Sequence, residues 1–363
     1  MLKQQKGENR KSRRGKRITL SIVGGFLLLL ALLITWATWG KNQGEIVSHT
    51  YFSLNETLGD DSSTEETLKA NHGSIVYMTT DITPEGLVEI YEMLGVNPTG
   101  NVAVKLHTGE GEESNYLRPT FIEPLITLVN GTIVECNTAY GGSRANTALH
   151  EQVIEDRGFR DIAPVDIMDS EGSMSIPVAG GSHITEDLVG SHLSNYDFVI
   201  VLSHFKGHAM GGFGGAIKNT SIGIASSEGK GRIHSGGLSD SFLFASMFTR
   251  QNTFLESMAE AAKAVSDYEN NGETIIYINV LNNISVDCDC VPNPTTPDMH
   301  DIGILASLDP VALDQACIDL VYQSSDGASV IERIESRNGL LTLKHAEEIG
   351  LGNRWYYLVQ IDN

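Results

Sequence analysis

The sequence predicts an α/β protein whose sheet is largely parallel and covered by helices, preceded by one N-terminal transmembrane helix. From about residue 83 onward, segments of strand length alternate with segments that have helix caps and helical apolar periodicity. Several strand segments, such as residues 196–202 (YDFVIVL), are apolar at almost every position. Apolar strands that alternate with helices are typical of a parallel sheet buried on both faces.

The N-terminal region predicts a membrane anchor. Residues 1–17 carry eight basic side chains against one acid, Glu8, and residues 18–39 contain no ionisable side chain. As a helix with about 1.5 Å rise per residue, this apolar segment spans a hydrocarbon core of about 30 Å. Trp36 and Trp39 lie at its outer end, where indole rings favour the interface. A cleaved signal peptide would have a shorter apolar region of about 7–15 residues, so we favour an uncleaved anchor.

The basic flank orients this anchor. Residues 1–17 should stay in the cytoplasm, which places the rest of the chain outside the cell membrane. Residues 40–70 are polar and aperiodic and predict a stalk, and residues 71–363 form the predicted extracytoplasmic domain. The membrane is therefore one predicted partner of the chain, through a single-pass N-terminal helix.

The charge of the remaining chain excludes one class of partner. Beyond residue 17 there are 45 acidic against 17 basic side chains, a formal charge of −28. A field of this sign repels phosphate backbones, so no nucleic acid is expected as a partner. The four cysteines are too few for a scaffold built on disulfides, and 41% apolar residues supply a hydrophobic core instead.

Helix caps and breakers locate the elements in chain order. Thr83 and Pro84 begin the first helix as its N-cap and first residue, and Gly95 ends it. Asn130 and Gly131 end the second helix in the same way. The predicted strands are residues 101–106, 132–136, 164–168, 196–202, 273–280, 301–306 and 355–361. The later predicted helices are residues 118–129, 147–157, 253–268 and 309–322, with two more near residues 329–336 and 341–349.

The segment that most indicates function is residues 203–219 (SHFKGHAMGGFGGAIKN), directly after the apolar strand 196–202. Ligands of parallel sheets bind at the loops that leave the carboxyl ends of strands. Glycine permits positive φ, so successive N–H groups could form an anion nest flanked by Lys206 and Lys218; the alternative is a loop with close backbone packing. The spacing matches neither a P-loop nor a dinucleotide-binding motif. The predicted ligand-binding residues within the block include Gly207, Gly211, Gly212, Gly214, Gly215 and Asn219.

Histidines accompany these lysines. His204 and His208 are four residues apart, a spacing that on a helix suits one metal ion. A glycine-rich segment is a poor helix, however. For either histidine, a structural hydrogen bond is as much expected as metal binding. Lys105 and His107 end the strand 101–106 and should lie beside the glycine block. The acidic loop that follows His107 predicts either cation ligands or solvated surface.

The cysteines Cys288 and Cys290 form the other candidate group. On an extended segment they project to the same side, where their thiolates could bind a soft metal ion or act as a redox pair. The spacing is not that of a zinc knuckle, which needs a second pair of cysteines. An alternative outside the cell is a disulfide from one of them to Cys136 or Cys317.

Three blocks together resemble a known family: residues 104–107 (VKLH), the glycine block 203–219, and residues 288–290 (CDC) leading into residues 301–316 (DIGILASLDPVALDQA). They are similar to the bacterial and archaeal domain of unknown function 362, over about residues 102–320. Members of that family are often described as iron–sulfur-centre proteins. This chain has no Cys-x-x-Cys run, so the resemblance implies the core domain without the ferredoxin-like module. The glycine block also looks distantly like that of lactate-racemase-like proteins, where lysine and histidine hold a nickel cofactor.

Two hypotheses follow. The first is an enzyme or cofactor-binding domain that holds a small anionic or metal-containing ligand at the strand ends, with racemase, isomerase or redox chemistry. Its catalytic residues would be Lys218, His208 and Lys105, with His107, His204 and Lys206 as further ligand-binding residues and Cys288 and Cys290 as metal ligands. The expected cofactor is a transition metal or an iron–sulfur centre. The second hypothesis is a non-catalytic surface protein whose acidic face binds metal ions or a protein partner.

Overall fold

A computed structural model describes residues 50–53 and 73–362 of the chain. The strands of this part are β1 (Thr50–Ser53), β2 (Ser74–Thr79), β3 (Val102–Lys105), β4 (Thr132–Glu135), β5 (Val165–Ile167), β6 (Ser173–Pro177), β7 (Glu186–Gly190), β8 (Phe198–His204), β9 (Lys206–His208), β10 (Gly212–Gly214), β11 (Ile275–Leu281), β12 (Gly303–Ser307) and β13 (Tyr356–Gln360). The α-helices are α1 (Pro84–Glu92), α2 (Pro119–Val129), α3 (Thr147–Asp156), α4 (Phe159–Ile162), α5 (Ala216–Ile224), α6 (Ser227–Ser235), α7 (Phe242–Phe248), α8 (Gln251–Tyr268), α9 (Pro310–Gln323), α10 (Ala328–Ser336) and α11 (Leu340–Glu348). Short 3-10 helices cover Ser191–Asn195 and Asn270–Gly272.

One large sheet organises these elements. Its nine strands lie in the order β1-β13-β2-β12-β11-β8-β3-β4-β5. Strand β12 is antiparallel to both of its neighbours, and every other adjacent pair is parallel. Strands β6 and β7 form a separate antiparallel pair, as do β9 and β10. The prediction of a mostly parallel α/β sheet is therefore confirmed.

The apolar strands are buried on both faces of this sheet. In β8, Val199 and Val201 belong to one hydrophobic cluster, whereas Ile200 and Leu202 belong to the cluster on the opposite face. This division follows from the strand geometry, because successive side chains point to opposite faces. Helices α5, α8 and α9 contribute to the first cluster, and α1 and α2 contribute to the second. The near-continuous apolar sequence of β8 is thus explained by helices on both sides.

Capping residues start the helices where the sequence predicts. Thr83 accepts a hydrogen bond from the backbone N–H of Gly86 at 3.1 Å, and Pro84 is the first residue of α1. Asp309 caps α9 by accepting from the N–H groups of Val311 and Ala312, at 2.8 and 3.1 Å. Such caps satisfy backbone donors that have no partner inside the helix.

Several elements lie outside the sequence prediction. Strand β1 falls within the predicted stalk and pairs in parallel with β13, so these four residues extend the sheet. Strand β2, the β6–β7 hairpin, the β9–β10 hairpin and helices α5 to α7 were also not predicted. They are short, or rich in Gly and Ser, and their pairing depends on partners that are distant in sequence.

The predicted membrane anchor, residues 18–39, lies outside the described residues. Within residues 50–53 and 73–362, no helix is both long and apolar enough to cross a bilayer.

Candidate functional site

The carboxyl ends of four neighbouring strands meet at one edge of the sheet. Strands β4, β3, β8 and β11 are adjacent and mutually parallel, so the segments that follow them leave at the same edge. These segments carry the acidic loop after β3, the region around residue 144 after β4, the β9–β10 hairpin after β8, and the two cysteines after β11. The parallel topology therefore brings together groups that are far apart in the sequence.

A small cleft of about 60 Å³ lies among these segments. A cleft of this size holds only a small ligand. It is lined by His107, Ser203, His204, Gly214, Gly215, Lys218, Asn219, Gly223, Cys288 and Asp289. Six of these ten lining residues are predicted ligand-binding or catalytic residues, and Cys288 is a predicted metal ligand.

Lys218 is the most distinctive side chain of this cleft. It lies near the start of helix α5 and is half-buried, and its Nζ makes no hydrogen bond or ion pair with the described part of the chain. The absence of a side chain at Gly214 leaves room for it, since a Cβ there would lie 3.2 Å from Lys218 Cδ. Burial, together with repulsion from Lys105 and Arg144, lowers the pKa of Lys218 from 10.5 to about 8.

Lys105 is a predicted catalytic residue that does not line the cleft. Its side chain is fully buried, and its Nζ donates to the Leu106 carbonyl oxygen at 2.5 Å and to Asn219 Oδ1 at 3.0 Å. The amide nitrogen of Asn219 in turn donates to the carbonyl of Leu202 and to the hydroxyl of Ser203, both at 3.1 Å. Lys105 therefore orients Asn219, which ties the end of β3 to the end of β8.

Asp289 anchors a second charged group at the wall of the cleft. Its carboxylate accepts from Lys206 Nζ at 2.9 Å and faces His204 Nδ1 at 2.8 Å. The other ring nitrogen of His204 faces the Asn282 carbonyl oxygen at 2.7 Å. Burial alone would raise the pKa of Asp289, but His204 and Lys206 outweigh it and hold that pKa far below its usual range.

A buried ion-pair network contacts His107. Arg144 is 2% exposed and donates to Glu110 at 3.1 Å, to Glu135 at 2.7 Å and to His107 Nε2 at 2.9 Å. The backbone N–H of Gly109 approaches the other nitrogen of His107 at 3.0 Å. Burial, and then the charge of Arg144, hold the pKa of His107 well below 6.5. Because donors face both nitrogens, His107 forms part of the wall and has no lone pair free to act as a base.

The glycine block forms the β9–β10 hairpin, so the expected anion nest is not present. Among its five glycines only Gly212 has a positive φ, of 82°. Gly207 packs against the backbone of Val286, where a Cβ would lie 2.5 Å from the carbonyl oxygen, and Gly211 and Gly212 pack near Gly339. The alternative of close backbone packing therefore describes Gly207, Gly211 and Gly212, whereas Gly214 and Gly215 line the cleft.

The helix that follows the hairpin already has an anion at its start. The carboxylate of Asp314 accepts from the N–H groups of Ala216 and Ile217, at 2.8 and 3.0 Å. A Cβ on Gly215 would lie 2.3 Å from Asp314 Oδ1, so glycine is required for this approach. The first free N–H groups of α5 thus bind a side chain of the protein itself.

Cys288 and Cys290 are joined in a disulfide. The alternative pairing with Cys136 or Cys317 is wrong, because these two are buried free cysteines. Cys136 donates to the Ile224 carbonyl oxygen, and Cys317 contacts the Asn279 side chain. The disulfide also removes the two thiolates that were predicted as metal ligands, unless it is reduced.

His208 lies beside this disulfide, and the ligand atoms of His208, Cys288 and Cys290 are within 4.8 Å of one another. Nδ1 of His208 accepts from the N–H groups of Met210 and Gly211, at 3.3 and 2.8 Å. A metal-bound imidazole normally donates its second N–H to an acceptor, whereas amide donors occupy that position here. This group therefore fits a transition metal poorly, and four cysteines that could hold an iron–sulfur cluster do not converge among the described residues.

The family model described as a domain of unknown function, DUF362, matches residues 102–319, which is more than half of the chain. The chain belongs to this family. None of the curated proteins matches its sequence.

Solved structures similar to this DUF362 protein are distant. The lactate racemase apoprotein from Thermoanaerobacterium thermosaccharolyticum has 15% identity and a TM-score of 0.34, over 56% of this chain and 50% of that chain. A Thermotoga maritima protein has 12% identity and a TM-score of 0.33, over 73% of this chain and 58% of that chain. The DUF362 protein thus spans about half the length of these structures, and at such TM-scores neither supports a functional argument.

Sequence reasoning missed the acids and the arginine that hold the DUF362 site together. Asp289 lies between the two cysteines but drew no prediction of its own, and Arg144, Glu135 and Asp314 drew none. Asp289 and Asp314 had a signal, since both lie in blocks that resemble the family. His204 and His208 do not share a helix face, because His204 ends β8 and His208 ends β9.

Proposed function

We propose that the cleft binds a small anion and that Lys218 supplies the main counter-charge. The observation that carries this proposal is a half-buried ammonium group without a partner in the described chain, in a protein with a formal charge of −21. An unpaired charge in a buried site is costly, so an anionic ligand would relieve that cost. The carboxylate of Asp289 in the wall is already bound by Lys206 and His204, so it does not serve Lys218 as a counter-ion.

The size and lining of the cleft narrow the class of ligand. A small, polar cleft of about 60 Å³ fits a short-chain carboxylate or an inorganic oxyanion better than a larger ligand. Ser203 lines the cleft beside Lys218 and offers its hydroxyl to a further ligand oxygen, whereas the amide hydrogens of Asn219 are used within the protein. Hydrogen bonds from charged donors to carboxylates are stronger than those from neutral donors, so Lys218 would dominate the affinity.

The same lysine is the best candidate for acid–base chemistry. A group whose pKa is about 8 exchanges protons near neutral pH, which suits an isomerase or racemase that moves a proton next to a carboxylate. Lys105, His107 and His208 do not provide a second base. Lys105 is hydrogen-bonded to Asn219, donors face both nitrogens of His107, and His208 lies outside the cleft with two amide N–H groups on its Nδ1. We therefore propose the catalytic role for Lys218 alone.

The pH dependence of anion binding tests this proposal. The full-length chain, purified in detergent, is titrated calorimetrically with acetate and with sulfate, which both stay ionised from pH 6 upward. Because the ammonium form of Lys218 is required and its pKa is about 8, the association constant should be constant below about pH 7. It should then fall about tenfold per pH unit above about pH 9.

Two outcomes would contradict the proposal. Affinity that persists to about pH 10 would assign binding to an ordinary surface lysine. No binding of either anion would favour the second hypothesis, an acidic surface that binds metal ions or a protein partner.

We further propose that the domain is held outside the cytoplasmic membrane by residues 18–39. The basic flank and the apolar segment support this location, and so does a disulfide, since disulfides persist in oxidising compartments. Protease added to intact bacterial spheroplasts that express the chain should release the domain by cleavage between residues 40 and 70. A domain that is degraded only after lysis would contradict this orientation, and a cytoplasmic reporter protein that stays undigested serves as the control for intact spheroplasts.

A further inference from the structure

We propose that the Cys288–Cys290 disulfide is a redox-active pair, which exchanges electrons with an external dithiol while the domain stays folded. This inference goes beyond anion binding and does not depend on it. Three observations support it: the separation of the two cysteines, their access from the cleft, and the contacts that hold the segment between them.

The first observation is that the bond is a poor structural cross-link. The cysteines are separated by only two positions in the sequence. The stabilisation that a disulfide provides by restricting the unfolded chain grows with the length of the loop that it closes. A disulfide across a single intervening residue closes a very short loop, so it restricts the unfolded chain little. Stabilisation of the fold is therefore a weak explanation for this bond.

The second observation is access. Cys288 lines the cleft, and both cysteines of the pair are partly exposed. The other two cysteines, Cys136 and Cys317, are buried. An incoming thiolate must reach a sulfur atom directly, so only the Cys288–Cys290 pair can react in the folded protein.

The third observation is that the segment keeps its shape without the disulfide. The Asp289 side chain is bound by His204 and Lys206, and its backbone carbonyl accepts from the N–H of Glu110 at 2.9 Å and from the hydroxyl of Ser114 at 3.2 Å. These contacts fix the residue between the two cysteines independently of the S–S bond. The two thiols would therefore stay adjacent after reduction, which permits the bond to form again.

The exchange balances as an ordinary thiol–disulfide reaction. One thiolate of the external dithiol attacks a sulfur of the pair, the S–S bond breaks, and a mixed disulfide forms while the other cysteine leaves as a thiolate. The second thiol of the donor, as its thiolate, then attacks the mixed disulfide and releases the first cysteine. In total two electrons and two protons pass from the dithiol to the pair, and the donor becomes a disulfide.

Counting thiols in the native protein tests this proposal. The full-length chain in detergent is incubated with dithiothreitol, freed of reductant anaerobically, labelled with a maleimide without denaturant, and weighed by mass spectrometry. We expect no label before reduction and two labels per chain afterwards, with an unchanged far-ultraviolet circular dichroism spectrum. The Cys288→Ser/Cys290→Ser variant should take no label, and Cys136→Ser should still take two.

Two results would overturn the proposal. One is the absence of label after an excess of dithiothreitol, which would show an inert bond. The other is four labels with loss of the circular dichroism signal, which would show that reduction requires unfolding. The assay counts thiols and does not measure anion binding, so its result is separate from that of the anion proposal.

A second arm of the experiment compares a monothiol with a dithiol as the reductant. Glutathione replaces dithiothreitol at matched thiol concentration. A dithiol resolves the mixed disulfide with its own second thiol, at a high effective concentration, whereas a monothiol needs a second collision. Half-reduction should therefore require on the order of tenfold less dithiothreitol than glutathione. Equal potency of the two reagents would show that the second thiol of the reagent does not resolve the mixed disulfide, which would refute the exchange proposed above.

Discussion

Replacement of Lys218 by glutamine is expected to weaken the binding of acetate or sulfate by on the order of 10- to 100-fold. The change removes the one ammonium group of the cleft that has no partner in the described chain, and a hydrogen bond to a charged group contributes about 1.5–3 kcal/mol. The midpoint of thermal unfolding should not fall, because the wild-type protein bears the cost of burying this charge. Calorimetric titration and a thermal unfolding scan of the same preparation measure both effects.

The matched control is Lys344→Gln, which makes the same chemical change on helix α11. Lys344 has 62% of its side chain exposed and lies 3.8 Å from Glu348. Its replacement should change anion affinity less than twofold, because exposed charges are screened by solvent and salt. Equal losses in the two variants would show that anions respond only to the overall charge of the domain. A loss of folded structure in Lys218→Gln would instead show that this lysine has a structural role.

The predictability of the fold differs between its elements for physical reasons. Strand β8 could be predicted because helices cover both of its faces, which requires an apolar side chain at almost every position. The β9–β10 hairpin could not, since its sequence is mostly glycine, lysine and histidine, and close contacts such as that of Gly207 with Val286 stabilise it. Local periodicity carries no information about such contacts.

The site shows the same division. Lys218, His107 and His204 could be placed near one another because each follows or ends a strand of a parallel sheet. Their states could not be predicted, because these depend on partners brought in by tertiary structure: Asp289 for His204, and Arg144 for His107. For this reason the sequence assigned similar roles to Lys105 and Lys218, whereas the structure gives a partner only to Lys105.

Replacement of Arg144 by methionine should cost about 3–5 kcal/mol in the free energy of unfolding, because it leaves Glu110 and Glu135 buried without their cation. Urea unfolding of the full-length chain at pH 7 measures this loss. The pKa of Glu135 in the folded protein is held well below 4.5; burial alone would raise it, and the charge of Arg144 together with the contacts of His150 outweighs that effect. A carboxyl group of this kind stabilises the fold above its unfolded pKa, and the contribution is lost as the pH falls through its folded pKa. The variant lacks that contribution, so the difference between wild type and variant should be largest near neutral pH and should shrink on acidification. A difference that does not vary with pH would show that the loss does not come from the charge interaction between Arg144 and Glu135.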